Sequence, residues 1–192
     1  AHRHSKIIIT GIGHANARRS LTEALQSFSP RLVLTCGYAG GLDPHLHRGD
    51  VVFQAETGDD LARRLARLGA LPAKFHCAER IAVSAEEKRV LRQQTGADAV
   101  EMESGVIHAL CRERGLAVAT VRVISDDAST ELPLDFNRLS RADGNISYAK
   151  LAAAVMRSPG AIPKLGRFQL ELDACARKLG NTLRELLGGL RA

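Results

Sequence analysis

The chain has 192 residues, 45% of them hydrophobic and 25% charged, which suits one globular domain with a core of its own. No apolar run reaches the roughly 18 residues of a membrane span, and the start Ala1-His2-Arg3-His4-Ser5-Lys6 has neither the apolar stretch nor the cleavage site of a signal peptide, so a cytoplasmic location without stable membrane insertion is expected. A net charge of +6 would suit nucleic acid, but the basic residues are dispersed (Arg63-Arg64 with Arg67, Arg112 with Arg114) and aromatics are 4% with no Trp, so no nucleic-acid partner is expected.

Apolar β-rich runs alternate with segments of helical period from end to end, the pattern of a layered α/β fold, here read as a single domain over 1–192. Residues 6–10, Lys-Ile-Ile-Ile-Thr, read as a buried strand entering the glycine turn Gly11-Ile-Gly13. Residues 16–27 carry Leu21, Ala24, Leu25 and then Phe28 at helical spacing and stop at Ser29-Pro30. A second buried strand, 32–36, runs into the glycine-rich segment Gly37-Tyr-Ala-Gly-Gly41. After the turn Arg48-Gly49-Asp50, residues 51–55 predict a third strand, 61–68 a helix, 75–84 strand and loop, and 85–94 another helix. Residues 97–101 are short and extended and lead into a helix over 103–114, while 116–125 is the most β-branched run and a strand. Beyond Asp126, 133–139 read as a loop or short helix and Asp143-Gly144 as a turn. Residues 148–157 and 163–187 read as amphipathic helices separated by Ser158-Pro-Gly160. The result is a mixed-sheet domain with a helical end over 143–192.

Cys36, Cys77, Cys111 and Cys175 lie far apart without a CxxC pair, and His45-x-His47 has no HExxH or cysteine companion, so reduced thiols and no metal site are expected. Three segments carry candidate chemistry, each at a strand end, where an open α/β sheet places its crevice. The glycines of 37–41 allow backbone to approach a ligand, although a tight turn explains them as well. In Val100-Glu-Met-Glu-Ser104 two carboxylates flank Met102, and a carboxylate can accept two hydroxyl hydrogen bonds. A helix start with dipole-favoured acids is the alternative. Val121-Arg-Val-Ile-Ser-Asp-Asp127 is a buried strand ending in two aspartates, where a partly desolvated acid can serve as a proton donor or an Asx-turn can start a loop.

Taken in order, Thr10-Gly-Ile-Gly13 with Asn16-Ala17, Cys36-Gly-Tyr-Ala-Gly-Gly-Leu42, Arg48-Gly-Asp-Val-Val52, Val100-Glu-Met-Glu-Ser104 and Arg122-Val-Ile-Ser-Asp126 resemble the landmarks of the purine nucleoside phosphorylase and nucleosidase superfamily. The first half is similar to methylthioadenosine/adenosylhomocysteine nucleosidases. Residues 88–104 and the tail with Asp143-Gly144 and Arg157-Ser-Pro-Gly160 are similar to hopanoid-biosynthesis-associated phosphorylases. The resemblance implies a three-layer α-β-α fold around a central mixed β-sheet. It also implies an enzyme that cleaves the N-glycosidic bond of an adenosine-type purine nucleoside, with no cofactor beyond phosphate as an optional co-substrate, assembled as a homodimer or higher homo-oligomer.

Residue by residue, the resemblance makes Asp126 the acid that protonates the leaving purine, with Ser125 beside it. Glu103 becomes the carboxylate that holds the ribose hydroxyls, with Glu101 as a further substrate-binding residue, and Met102 packs beneath the sugar. Ala39 and Gly40 become the backbone lining the sugar, and the loop 77–81, ending at Ile81, lies against the base. Asp126 is then required to be protonated when substrate is bound. Two departures stand out. The family's first strand, with the glutamate that activates water in the nucleosidases, has no match before Lys6, which leaves a sheet edge to be covered. Thr35 and Tyr38 stand where related phosphorylases place an arginine and a serine for phosphate, leaving Arg48 or Arg122 to supply charge, so hydrolysis is favoured over phosphorolysis. The alternative function is a non-catalytic nucleoside-binding module with a degenerate site.

Overall fold

The computed structural model describes residues 5–55, 59–139, 150, 151, 153, 156 and 160–189. In chain order the elements are α1 (His14–Ser27), β1 (Leu32–Gly41), β2 (Val51–Ala55), α2 (Asp59–Arg67), β3 (Leu71–Pro72), β4 (Phe75–Cys77), α3 (Ala85–Thr95), β5 (Ala99–Glu101), α4 (Ser104–Glu113), β6 (Ala117–Asp126), α5 (Phe136–Leu139) and α6 (Ala161–Gly189). The sheet runs β3-β2-β6-β1-β5-β4 and is mixed. β1 and β6 are parallel, whereas β2 is antiparallel to β6 and β5 to β1.

β-branched residues make β6 the axis of the sheet, and the strand period of two sorts its side chains. Ala119, Val121 and Val123, all 0% exposed, meet Leu61 and Leu65 of α2 and Cys175, Leu179 and Leu186 of α6. Val118 points the other way, onto Ala17 and Leu21 of α1 and Ile107, Leu110 and Cys111 of α4. Helices on both faces of a mixed sheet are the three-layer arrangement expected. Each fully buried Val or Leu contributes about 1.5–3 kcal/mol. The helix α3 is delimited by local chemistry. Ser84 and Glu87 form a capping box at its start, and Gly96, at φ 61°, ends it in the left-handed conformation.

The expected segments 51–55, 85–94, 116–125 and 163–187 became β2, α3, β6 and α6 with ends shifted by two residues or fewer. Asp143-Gly144, Ser158-Pro159 and most of 148–157 lie outside the described residues. Two expectations fail. Residues 6–10 form no strand: Ile7 and Ile9 are more than nine-tenths exposed, and no described strand pairs with the segment. An extended run without a ladder partner leaves its backbone to water, and the sheet edges are occupied by β3 and β4. Residues 37–41 are not a strand end either, because β1 continues through them to Gly41.

The reason for the glycines lies in their neighbours. Gly37 is paired in register with Arg122, and a Cβ there would stand 2.6 Å from Arg122 Nη1. At Gly40 a Cβ would press on Val100 Cγ1 at 3.2 Å and Asp126 Oδ2 at 3.3 Å. These glycines give room to the Arg122 and Asp126 side chains from inside a strand rather than turning the chain.

Candidate active site

The parallel pair β1–β6 slips by one residue at its carboxyl end: Ala39 pairs with Ile124, and Gly40 with Asp126. Successive residues of a regular strand point to opposite faces, but this bulge leaves Ser125 unpaired and frees its side chain to meet its neighbour. The Ser125 hydroxyl is 2.5 Å from Asp126 Oδ1 and 3.2 Å from the Ala39 carbonyl. Arg48 fixes the bulge from outside. Its Nε donates to the Ser125 carbonyl at 2.8 Å, and its guanidinium pairs with Glu171 of α6.

Four residues before Asp126, Arg122 carries a buried guanidinium over Gly37. Its Nη2 lies 2.6 Å from Glu101 Oε2, 3.1 Å from Thr35 Oγ1 and 3.2 Å from Glu103 Oε2. Arg122 Nε is buried with no hydrogen-bond partner among the described residues, a state that costs about 1–3 kcal/mol unless a ligand or water satisfies it.

The two glutamates of the Glu-Met-Glu motif are not equivalent. Glu101, with a side chain 1% exposed, caps α4: it accepts the Glu103 and Ser104 N–H groups at 3.0 and 2.7 Å and the Ser104 hydroxyl at 2.6 Å, besides Arg122. The helix-start reading therefore describes Glu101. Glu103 is less buried and accepts the Gly13 N–H, at the start of α1, at 2.8 Å with its other oxygen. Each carboxylate thus sits at a helix N-terminus, where the dipole favours negative charge. Met102 between them is half-buried.

The structure therefore brings Ala39, Gly40, Ser125, Asp126 and, through Arg122, Glu101 and Glu103 to one strand end. The Ile81 backbone is held by Asn137: its N–H donates to Asn137 Oδ1 and its carbonyl accepts from Asn137 Nδ2, both at 2.9 Å, tying the loop after β4 to α5. At the last residue of β4, Cys77 Sγ lies 3.1 Å from Nε2 of His14, the first residue of α1. Burial, with the Glu101 charge second, pushes that thiol up to about 12, so it is no thiolate nucleophile.

Lys88 escaped sequence reasoning altogether. It is 0% exposed, and its Nζ reaches Asp126 Oδ2 at 2.5 Å, the Asp127 carbonyl at 2.7 Å and the Thr130 carbonyl at 2.9 Å. The available signal was its phase: it shares a helix face with the partly buried Leu91, three residues on. A surface groove lined by Phe53, Pro72 and Lys74 lies at the β2–β3 edge and contains none of these residues. Among the described residues no three His, Cys, Asp or Glu side chains converge as metal ligands, and no helix is long and apolar enough to cross a membrane.

A mixed sheet with helices on both faces, carrying an acid and an arginine-clamped carboxylate at one strand end, defines a class that comparison with known proteins makes explicit. The chain belongs to the phosphorylase superfamily, whose family model matches residues 6–70 and 53–157. Among its relatives, the 5′-methylthioadenosine/S-adenosylhomocysteine nucleosidase of Actinobacillus succinogenes is 31% identical, covering 68% of this chain and 71% of that protein. The enzyme of the same name from a Marinomonas species is 28% identical over 77% of this chain and 74% of its own. Solved structures share the fold. Futalosine hydrolase of Helicobacter pylori superposes with a TM-score of 0.68 at 17% identity, covering 94% of this chain and 77% of that one. The Colwellia psychrerythraea nucleosidase in complex with adenine gives 0.66 at 18% identity, covering 93% and 75%.

Proposed function

We propose that the chain is a nucleosidase that hydrolyses the N-glycosidic bond of an adenosine-type purine nucleoside, with Asp126 protonating the departing base and Glu103 holding the ribose hydroxyls. The observation that carries this reading is the shared strand end. Asp126 and Arg122 come from the last five residues of β6, and Arg122 bonds Glu103 at 3.2 Å.

Breaking the C–N bond builds positive charge on the sugar and negative charge on the base. Two carboxylates, Glu101 and Glu103, surround the single guanidinium of Arg122, so the cluster carries an excess negative charge suited to a cationic sugar. Glu101 has its oxygens engaged by four donors and holds Arg122 and α4 in place. Among the described residues each oxygen of Glu103 has one hydrogen-bond partner, which leaves a lone pair for a hydroxyl. Met102 packs under the sugar, Ala39 and Gly40 form its backbone wall, Ser125 orients Asp126, and Ile81 faces the base. A proton placed on the base by Asp126 is worth about 100- to 10,000-fold.

Water is favoured over phosphate as the second substrate because both arginines at this strand end face carboxylates, Arg48 that of Glu171 and Arg122 those of Glu101 and Glu103. The relatives named nucleosidase and hydrolase support the same choice. A homo-oligomer in the cytoplasm belongs to this reading, to be checked by gel filtration and cell fractionation.

The test is chromatography of products after incubation with adenosine, methylthioadenosine or adenosylhomocysteine in phosphate-free buffer. Adenine and free sugar are expected, with release lowered by about 100-fold or more in Asp126→Asn or Glu103→Gln. Nucleoside binding without base release by the unaltered protein would establish the non-catalytic module instead.

A further inference from the structure

Nothing in the reaction just described uses Lys88, yet the fold invests heavily in it. Its side chain is 0% exposed, on a helix whose start is secured by a capping box. A buried ammonium is costly unless each of its hydrogens is bonded, and an apolar residue of similar size serves stability as well or better. We propose that Lys88 and Asp126 form a proton-sharing pair in which Lys88 acts through Asp126, loading its carboxyl with the proton that goes to the leaving base. This rests on the reading of Asp126 as the acid.

The geometry allows the proton two homes without orphaning any group. As an ammonium, Lys88 uses its three hydrogens on Asp126 Oδ2, the Asp127 carbonyl and the Thr130 carbonyl. If the hydrogen aimed at Asp126 moves across, the N–H bond breaks as the O–H bond forms. The neutral amine keeps two hydrogens for the two carbonyls and turns its lone pair to the new O–H. Both placements leave the pair with zero net charge, so the low-polarity surroundings of Asp126, 7% exposed at its side chain, do not oppose the shift as they would oppose an isolated charge. Ser125 meets the other oxygen, Oδ1, in either state, since a hydroxyl both donates and accepts.

During cleavage the O–H bond of Asp126 breaks as a base nitrogen takes the proton, and the C–N electron pair leaves with the base. The pair then lacks one proton, which the attacking water surrenders as its oxygen bonds to the sugar. Water, nucleoside, base and sugar balance without another reactant.

The experiment compares two substrates that differ in their need for an acid: methylthioadenosine, and 4-nitrophenyl β-D-ribofuranoside, whose nitrophenolate leaves without a proton. Lys88→Met is expected to lower methylthioadenosine cleavage by about 100-fold or more, and nitrophenyl ribofuranoside cleavage by no more than about threefold. Asp126→Asn should show the same selectivity, and adding Lys88→Met to it should cost nothing further. Should Lys88→Met fail to fold, Lys88→Gln replaces it, since its amide offers two hydrogens to the carbonyls and no transferable proton. Retained methylthioadenosine cleavage in the lysine variant, or equal loss on both substrates in a folded protein, overturns the proposal. If Asp126→Asn also leaves methylthioadenosine cleavage intact, the fault lies with Asp126 as the acid. If Asp126→Asn alone loses it, only the role of Lys88 falls.

Discussion

The two glutamates that flank Met102 should separate cleanly when each is made neutral. Glu101→Gln preserves shape and removes the charge that faces Arg122 at 2.6 Å, in a site where the two side chains are 1% and 5% exposed. The amide oxygen can still receive the Glu103 and Ser104 N–H groups, and the Ser104 hydroxyl can rotate to accept from the amide nitrogen. What is lost is the buried ion pair, and breaking such a pair costs about 3–5 kcal/mol. Glu103 remains 3.2 Å from the guanidinium, so the lower end, about 3 kcal/mol, is expected. For a domain of this size that is a fall of about 6–12 °C in Tm. Glu103→Gln leaves Arg122 paired with Glu101 and should cost no more than about 1.5 kcal/mol, while turnover falls by about 100-fold. Thermal and urea unfolding, with m checked for constancy, set beside adenine release give both quantities for both variants. A Tm for Glu101→Gln within about 2 °C of the parent, or equal losses of stability in the two variants, would refute the division of labour.

Three further substitutions probe other parts of the structure. Ser84→Ala removes the hydroxyl that accepts the Glu87 N–H at 3.2 Å and should destabilise by about 1 kcal/mol in urea unfolding. Asp43 is held at about 2, below its ordinary 3.8, chiefly by the His45 N–H and also by Arg92. A carboxyl lowered on folding adds stability that is full above pH 3.8 and lost as pH falls through about 2, on the order of 2 kcal/mol here. Asp43→Asn should flatten the urea midpoint over that window. Gly40→Ala sets a Cβ 3.3 Å from Asp126 Oδ2 and should lower kcat by about tenfold or more with little change in KM or in the circular dichroism.

Much of the architecture was legible because local patterns agree with the fold. Residues 51–55 and 116–125 are β-branched between turn signals, and 85–94 read as the helix that became α3. Residues 6–10 carry an equally strong strand pattern, but a strand needs a neighbour, and pairing is information the segment does not contain. Glycines at 37, 40 and 41 left a tight turn and a close approach to a ligand equally open, because both ask for the same residue. Their partners, Arg122 and Asp126, lie more than eighty positions away. Asp126 and the glutamate pair were singled out by motif. The difference between Glu101 and Glu103 was not, since it depends on where α1 begins, and Lys88 resembled any lysine of a solvated helix.

The unpaired Ser125 also bears on how this strand end tolerates changes in chain length. Deleting it would let Asp126 pair regularly with Gly40, remove the hydroxyl at Oδ1, and draw the chain beyond back by one strand rise, about 3.3 Å. That shift would carry off the Asp127 and Thr130 carbonyls that hold the Lys88 ammonium. Insertions and loop exchanges aimed at altering specificity should therefore begin after Thr130, the last of the described residues whose carbonyl bonds the Lys88 side chain.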